Sequence, residues 1–229
     1  IYAKFIIIYI VAAIIGFIFV AKGTSQMILN HMTTEKADTL YQEAVLLSTN
    51  YAEDYYESRT ASSLETVHSH FSALDAYLNA RIWMIDIDGT IILDSSEKLT
   101  NPERTNLFVE HFDPTSFGTS YYMTGNFFGE FDEEVLSVIS PINYNLRVRG
   151  YLVIHSEMDE LYAEKEALLN IMYITLAALL IIFFIALLFF GYIIYYPMKK
   201  ITKAASEYAA GNLSYEVDVN TEDEFGRLA

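Results

Sequence analysis

From Leu168 to Tyr196 the chain reads LLNIMYITLAALLIIFFIALLFFGYIIYY, with no charged residue and one Asn near its start. About 20 apolar residues are enough to cross a bilayer core as helix, so this run crosses with length left for tilt or overhang. A helix that is apolar on every side over such a length is rare inside a soluble protein. A second apolar segment, Phe5 to Ala21, is bracketed by Lys4 and Lys22, and no small-residue cleavage site follows it, so it reads as a span rather than a removable signal. Lys199, Lys200 and Lys203 follow the longer run and put its C-terminal side in the cytoplasm; two crossings bring Lys4 back to that side.

The expected plan is therefore a cytoplasmic end at 1–4, a first span at 5–21, an extracellular domain at 22–167, a second span at 168–196 and a cytoplasmic segment at 197–229. The chain opens on Ile1 and stops inside a motif, which reads as a piece of a longer protein. Charge supports the division. Residues 22–166 hold 24 acidic and 9 basic side chains, and nearly all of the overall charge of -16 lies there. Such an acidic domain excludes nucleic acid as a partner, because phosphate binding needs basic patches. The chain has no cysteine, which rules out disulfides and fits either side of a bacterial membrane.

The segment after the second span carries the most specific pattern. Pro197 ends the apolar run; Ile201, Ala204, Ala205 and Tyr208 then recur at helical seam spacing, and Gly211-Asn212 ends that helix. Leu213 to Val219 alternates as an extended connector, and Thr221 with Glu224 is the pattern of a capping box opening a new helix. A proline-started helix, a Gly-Asn break, a connector and a closing DEFG resemble the HAMP linker of bacterial transmembrane receptors. Pro197, Glu224 and Gly226 stand at that family's characteristic positions, which implies that they relay signals.

Between the spans the chain begins helical. Ala37, Leu40, Tyr41, Ala44, Leu47, Tyr51 and Tyr55 form one apolar stripe, which faces either a partner copy or the domain's own sheet. SRTASS at Ser58 to Ser63 breaks it, and Ser62 with Glu65 is expected to cap a second helix with the stripe Leu64, Val67, Phe71, Leu74 and Leu78. Strand patterns follow: Arg81 to Ile87, apolar on both faces; a turn at Asp88-Gly89; Thr90 to Asp94; Tyr121 to Thr124; Val135 to Tyr144; and Leu146 to His155. A tight turn is expected at Asn143 to Asn145, and Ser156 with Asp159 is expected to cap the helix running into the second span. The fold class is α+β within a membrane protein. WMIDIDGTIILDS at Trp83 to Ser95 and VRGYLVIHSEMDEL at Val148 to Leu161 resemble the first hairpin and the last strand of Cache (PAS-like) sensor domains. The resemblance implies a long helix before an antiparallel sheet of about five strands, in a single module.

Asp86-Ile-Asp88-Gly-Thr90 also matches the DxDGT nucleophile motif of haloacid-dehalogenase-like phosphatases, in which two carboxylates and Mg2+ act on phosphate. Here the motif runs straight into another strand, and a hairpin turn accounts for it without catalysis. Glu130, Asp132, Glu133 and Glu134 form an acidic knot, a candidate Ca2+ or Mg2+ site against the alternative of a solvated loop. His68, His70, His111 and His155 invite zinc or pH sensing, with surface histidines as the default. By analogy with Cache domains, Arg81, Trp83, Tyr121, Tyr122, Tyr144 and Arg147 are candidates to hold a small organic acid or amino acid.

These resemblances imply the sensory half of a sensor histidine kinase of a two-component system, a homodimer in the bacterial plasma membrane that signals to a cytoplasmic response regulator. The segment itself carries no phospho-accepting histidine motif and no nucleotide-binding glycines, so ATP and Mg2+ are expected only at a kinase domain after residue 229. A methyl-accepting chemoreceptor or a cyclase-type receptor shares the plan and is the competing reading.

Overall fold

The computed structural model describes residues 2–52, 55–56, 60–98, 107–216, 219 and 223–228. The chain forms two compact units, one of residues 26–166 and one of residues 1–25 with 167–229.

In the first of these, the helix α1 (Tyr2–Leu47) ends in a π-helical turn at Ser48–Ala52. Its stripe faces the domain's own core: Ala37, Leu40, Ala44 and Leu47 are fully buried, and Tyr41, Tyr51 and Tyr55 pack at the margin. The helix α2 (Ala61–Leu78) buries Val67 and Phe71 against the same core. Its cap is Thr60 rather than Ser62. Thr60 has the extended backbone that an N-cap requires, and its hydroxyl accepts from the Ser63 amide at 3.2 Å. Asn79 closes α2 in the left-handed conformation, at φ 50°.

Five strands follow: β1 (Arg81–Asp86), β2 (Ile91–Asp94), β3 (Tyr122–Gly125), β4 (Val135–Tyr144) and β5 (Arg147–Glu157). They form one antiparallel sheet in the order β2-β1-β5-β4-β3, so β5 is its centre. Alternation along the strands divides the core. Ile82, Met84, Leu136, Val138, Leu152 and Ile154 meet the helices, whereas Trp83, Ile85, Val135, Ile139 and Val153 meet the loop residues Phe117 and Phe127. Asp86 and Asp88 serve the β1–β2 turn. Asp86 accepts from the Ile87 amide at 2.8 Å and Asp88 from the Thr90 amide at 3.0 Å, and Gly89 takes φ +96° there. The β4–β5 turn lies one residue later than expected: Tyr144 pairs with Arg147, and Asn145 and Leu146 adopt φ 52° and 60°. Such a two-residue turn needs positive φ at both positions, which suits Asn better than Leu.

β5 also runs two residues further than expected, because Ser156 and Glu157 pair with Leu136 and Val135. Ser156 is thus a strand residue and no cap; its hydroxyl has no partner among the described residues. The helix α3 (Met158–Phe190) starts at the next residue, where the Met158 amide donates to the Glu134 carbonyl at 3.0 Å.

The second unit holds the two apolar segments. Both helices are long and apolar enough to cross a membrane, and their most apolar stretches are 0% and 6% buried, so their side chains are free to face lipid. Tyr9 donates to the Leu180 carbonyl at 3.1 Å, and the rings of Phe17 and Tyr173 lie 5.8 Å apart. Pro197 does not interrupt the helix. A π-helical turn at Gly191–Tyr195 connects α3 to α4 (Tyr196–Ala209), with Pro197 in the first turn of α4. A proline has no amide hydrogen and crowds the carbonyl four residues back; widening the preceding turn removes both conflicts. Gly211, at φ +88°, follows the end of α4. A short helix α5 (Glu224–Leu228) is capped by Asp223, which accepts from the Phe225 and Gly226 amides at 3.0 and 3.3 Å. Thr221 and part of the expected connector lie outside the described residues.

Candidate functional site at the start of the exit helix

The side chains with the most perturbed surroundings gather where β1 begins and β5 ends. Arg81 opens β1 and pairs across the sheet with His155. Its guanidinium donates to Asp94 through Nε at 3.1 Å and Nη2 at 2.5 Å, and Asp94 is fully buried. The Ser96 amide and hydroxyl also donate to Asp94, at 3.0 and 2.8 Å. Burial alone would raise the Asp94 carboxyl; the hydrogen bonds and charge of Arg81, helped by Ser96, outweigh it and hold the group below the usual carboxylate range. The same guanidinium lies 5.2 Å from the centre of the Trp83 ring and 5.9 Å from that of Phe131.

His155 sits beneath this pair, 3% exposed, with its ring centre 4.4 to 4.8 Å from those of Phe127, Trp83 and Phe131. Its Nδ1 is 2.8 Å from the Ser137 hydroxyl, and its Nε2 has no partner among the described residues. Burial, with the nearby charge of Arg81, pushes its pKa down to about 3, so the imidazole is neutral at ordinary pH. The Trp83 indole nitrogen likewise has no partner among the described residues. The surface reading of His155 is therefore replaced by a core histidine. Of the others, His68 bonds the Glu97 carbonyl at 2.7 Å and the His70 ring lies 4.2 Å from that of Tyr51.

A cavity of about 390 Å³ opens beside these groups, lined by Arg81, His155, Phe131, Asp132, Glu133 and Glu157 among others. Three side-chain contacts tie together the elements around it. Ser95 donates to Asp75 of α2 at 2.5 Å while accepting from the Ile82 amide. Asn79 donates to Glu160 at 2.6 Å, and Tyr162 donates to Glu134 at 2.6 Å, so the first turns of α3 are held by both α2 and the start of β4.

The six residues expected to hold a ligand fall in three places. Arg81 and Trp83 stand together beside the cavity. Tyr121 is stacked on Tyr41 at 4.2 Å and donates to Asp38, with Tyr122 next to it, on the helix face of the sheet. Tyr144 and Arg147 close the β4–β5 hairpin, and Arg147 is eight residues along β5 from His155. At about 3.3 Å per residue that is roughly 26 Å, too far for one small ligand. Among the described residues no three His, Cys, Asp or Glu side chains converge as a metal site requires, and of the acidic knot Glu134 already bonds Tyr162. Asp75, Asp94 and Phe131 were not foreseen as parts of a site, and His155 was foreseen only as a zinc or pH-sensing candidate. The one available signal was His155 itself, a histidine that directly follows the apolar run Tyr151–Ile154 within β5.

Comparison with known proteins bears on the membrane unit. Residues 193–229 match the HAMP domain family, a match that begins four residues before Pro197. With the two lipid-compatible helices, this makes the chain a two-pass membrane protein. No curated protein matches it. Among solved structures it is similar to the sensor domain of the V. cholerae histidine kinase DctB, with 15% identity, a TM-score of 0.42, and 59% of this chain and 55% of that one covered. It is also similar to the sensory domain of the Campylobacter jejuni chemoreceptor Tlp3 with isoleucine bound, with 11% identity, a TM-score of 0.39, and 63% and 62% covered. The chain thus spans little more than half of the first of these and under two thirds of the second.

Proposed function

We propose that this chain is the sensory and membrane-relay part of a bacterial sensor histidine kinase, acting as a homodimer with the sheet domain outside the cell and the HAMP segment in the cytoplasm. The observation that carries the reading is continuity of the backbone. The central strand β5 passes into α3 with no intervening residue, and α3 continues through the second apolar segment to the stretch matched by HAMP. A stimulus that alters the packing at the end of β5 acts directly on the first turn of that helix. Two packings of the HAMP helices, each favoured by one state of the external domain, then bias a cytoplasmic kinase that uses ATP and Mg2+ and phosphorylates a response regulator. Pro197, Glu224 and Gly226 belong to this relay. The stimulus acts only through unequal affinity for the two states.

Full-length protein in membrane vesicles, supplied with radiolabelled ATP, tests the output. Acid-labile phosphohistidine is expected. Its absence, with a methylatable coiled coil in its place, would turn the reading into a chemoreceptor. The dimer is read separately. The chain has no cysteine, so single cysteines placed between 168 and 196 report helix contacts without background. Disulfide-linked dimers are expected at every third or fourth position, and their uniform absence would remove the homodimer.

A further inference from the structure

We propose that one face of α4 is a docking surface for anionic phospholipid headgroups, with Lys199 and Lys203 as its main contacts and Lys200 between them. The apolar run ends at Tyr196, so α4 emerges where hydrocarbon gives way to headgroups. At about 100° per residue, Tyr196, Lys199, Lys200 and Lys203 share an arc of about 100°. That arc is centred roughly 120° from the one holding Ile201, Ala204 and Tyr208. Ala204 is buried, whereas Lys199 and Lys203 are exposed. Packing through the Ala204 seam therefore leaves the lysine face open. Among the described residues neither Lys199 nor Lys203 forms an ion pair.

Lysines after a span would set its orientation wherever they pointed; depth and lean make these a surface. At a rise of about 1.5 Å per residue, Lys199 and Lys200 stand roughly 5–6 Å past Tyr196 along the helix, and Lys203 roughly 10 Å. The headgroup layer on each side of a bilayer is about 5–8 Å deep. Side chains on an α-helix lean towards its N-terminus, which for α4 is the membrane side. Lys200 shows that lean: its Nζ lies 5.4 Å from the centre of the Tyr196 ring, one turn nearer the membrane. The Lys203 Nζ lies 5.7 Å from the centre of the Tyr215 ring, so its stem too runs beside an aromatic body. Apolar stem against tyrosine and ammonium towards phosphate is the arrangement of a side chain at a membrane interface. The one acidic residue of α4, Glu207, shares this arc but stands roughly 16 Å past Tyr196, beyond the headgroups. Its carboxylate already accepts from Asn212 at 3.1 Å. A zwitterionic headgroup carries its own cation and gains little from such a face, whereas a headgroup of net negative charge gains the full attraction.

The full chain in phosphatidylcholine vesicles, with a trace of spin-labelled phosphatidylglycerol or spin-labelled phosphatidylcholine, tests this. Electron paramagnetic resonance gives the fraction of each labelled lipid held immobile at the protein surface. Phosphatidylglycerol is expected to be preferred at least about threefold. The preference should fall towards parity in Lys199→Gln/Lys203→Gln and persist in Lys199→Arg/Lys203→Arg. It should also weaken in about 1 M NaCl, where the screening length is about 3 Å. Lys4→Gln, on the same side of the membrane, should leave most of it intact, and inorganic phosphate in the buffer should not displace the lipid. Equal retention of the two lipids would overturn the proposal. So would a preference that survives the double glutamine variant, or one abolished by Lys4→Gln or by inorganic phosphate. The proposal rests on the receptor reading only for which leaflet the face meets, and these vesicles carry the same lipids in both. Its failure therefore leaves the phosphohistidine test untouched, and the reverse also holds.

Discussion

The two faces of the sheet are built from different materials. Under α1 and α2 the buried centre is mostly small and aliphatic, with Ala37, Leu40, Ala44 and Leu47 joined by Phe71, and tyrosines such as Tyr41, Tyr121 and Tyr122 pack around its margin. The opposite face is covered mainly by loop residues within 107–131, and aromatic rings are prominent in its filling: Trp83, Phe117, Phe127, Phe128 and Phe131. Phe127 and Phe128 take φ 42° and 56°, a left-handed backbone that bulky residues adopt only at a cost. Two buried nitrogens without partners among the described residues, His155 Nε2 and Trp83 Nε1, lie on that face as well. Helices fix one face as a platform; loops close the other around buried polar groups.

The contrast is broken or sharpened most strongly by matched truncations. Phe71 is 0% exposed and Phe127 1%, so the two sites are equally deep. Phe71→Ala, walled by helix and strand, is expected to cost about 3–5 kcal/mol, whereas Phe127→Ala should cost clearly less because a loop can close over the void. Urea unfolding followed through Trp83 emission measures both. Equal losses would mean that the loop face is as rigid as the helix face.

A smaller effect comes from acid. His155 has its pKa lowered to about 3 in the folded protein, against 6.5 when unfolded. The unfolded chain therefore binds the extra proton first, and stability falls as pH drops from 6.5 towards 3, by up to about 1.4 kcal/mol per pH unit. The depressed Asp94 carboxyl acts in the same direction, but only below the ordinary carboxylate range. Melting temperatures from pH 7 to pH 5 isolate the histidine, and His155→Phe should flatten the slope there. An unchanged slope would show that His155 is solvated rather than held neutral on the loop face. The smallest change is on the platform side: Thr60→Ala removes the cap of α2 and should cost about 1 kcal/mol without altering Trp83 emission. An emission change would couple the two faces.

The sequence made the platform far more legible than the site. Apolar spacing along α1, α2 and the strands recorded which residues face inwards, because one face of each element is buried and the periods of 3.6 and 2 are geometric. It left the partner of the α1 stripe open, and contact with the domain's own sheet answers that. Local caps were misread by two residues at α2 and at the end of β5, where Thr60, Ser62 and Ser156 are chemically interchangeable and only backbone conformation and strand pairing choose among them. The site was mostly hidden. Arg81 and Trp83 were named as ligand candidates and His155 as a zinc or pH-sensing one, but what brings them together with Asp94 and Phe131 is cross-strand register and a returning loop, which leave no periodic trace. Likewise Tyr144 and Arg147, plausible by residue type, lie at the far end of a long hairpin.

The π-helical turn before Pro197 has a consequence for angular phase. A turn closed over five residues accommodates about one residue more than an α turn. Each residue of an α-helix rotates the chain by about 100°. Restoring regular α-helix between Gly191 and Tyr195 would therefore turn every side chain of α4 by about that angle relative to the span before it. Ala204, now the buried residue in the middle of α4, would be carried off its seam. The widened turn works as a vernier: the direction in which the cytoplasmic helix presents its apolar stripe is set by a single surplus residue at the membrane's edge.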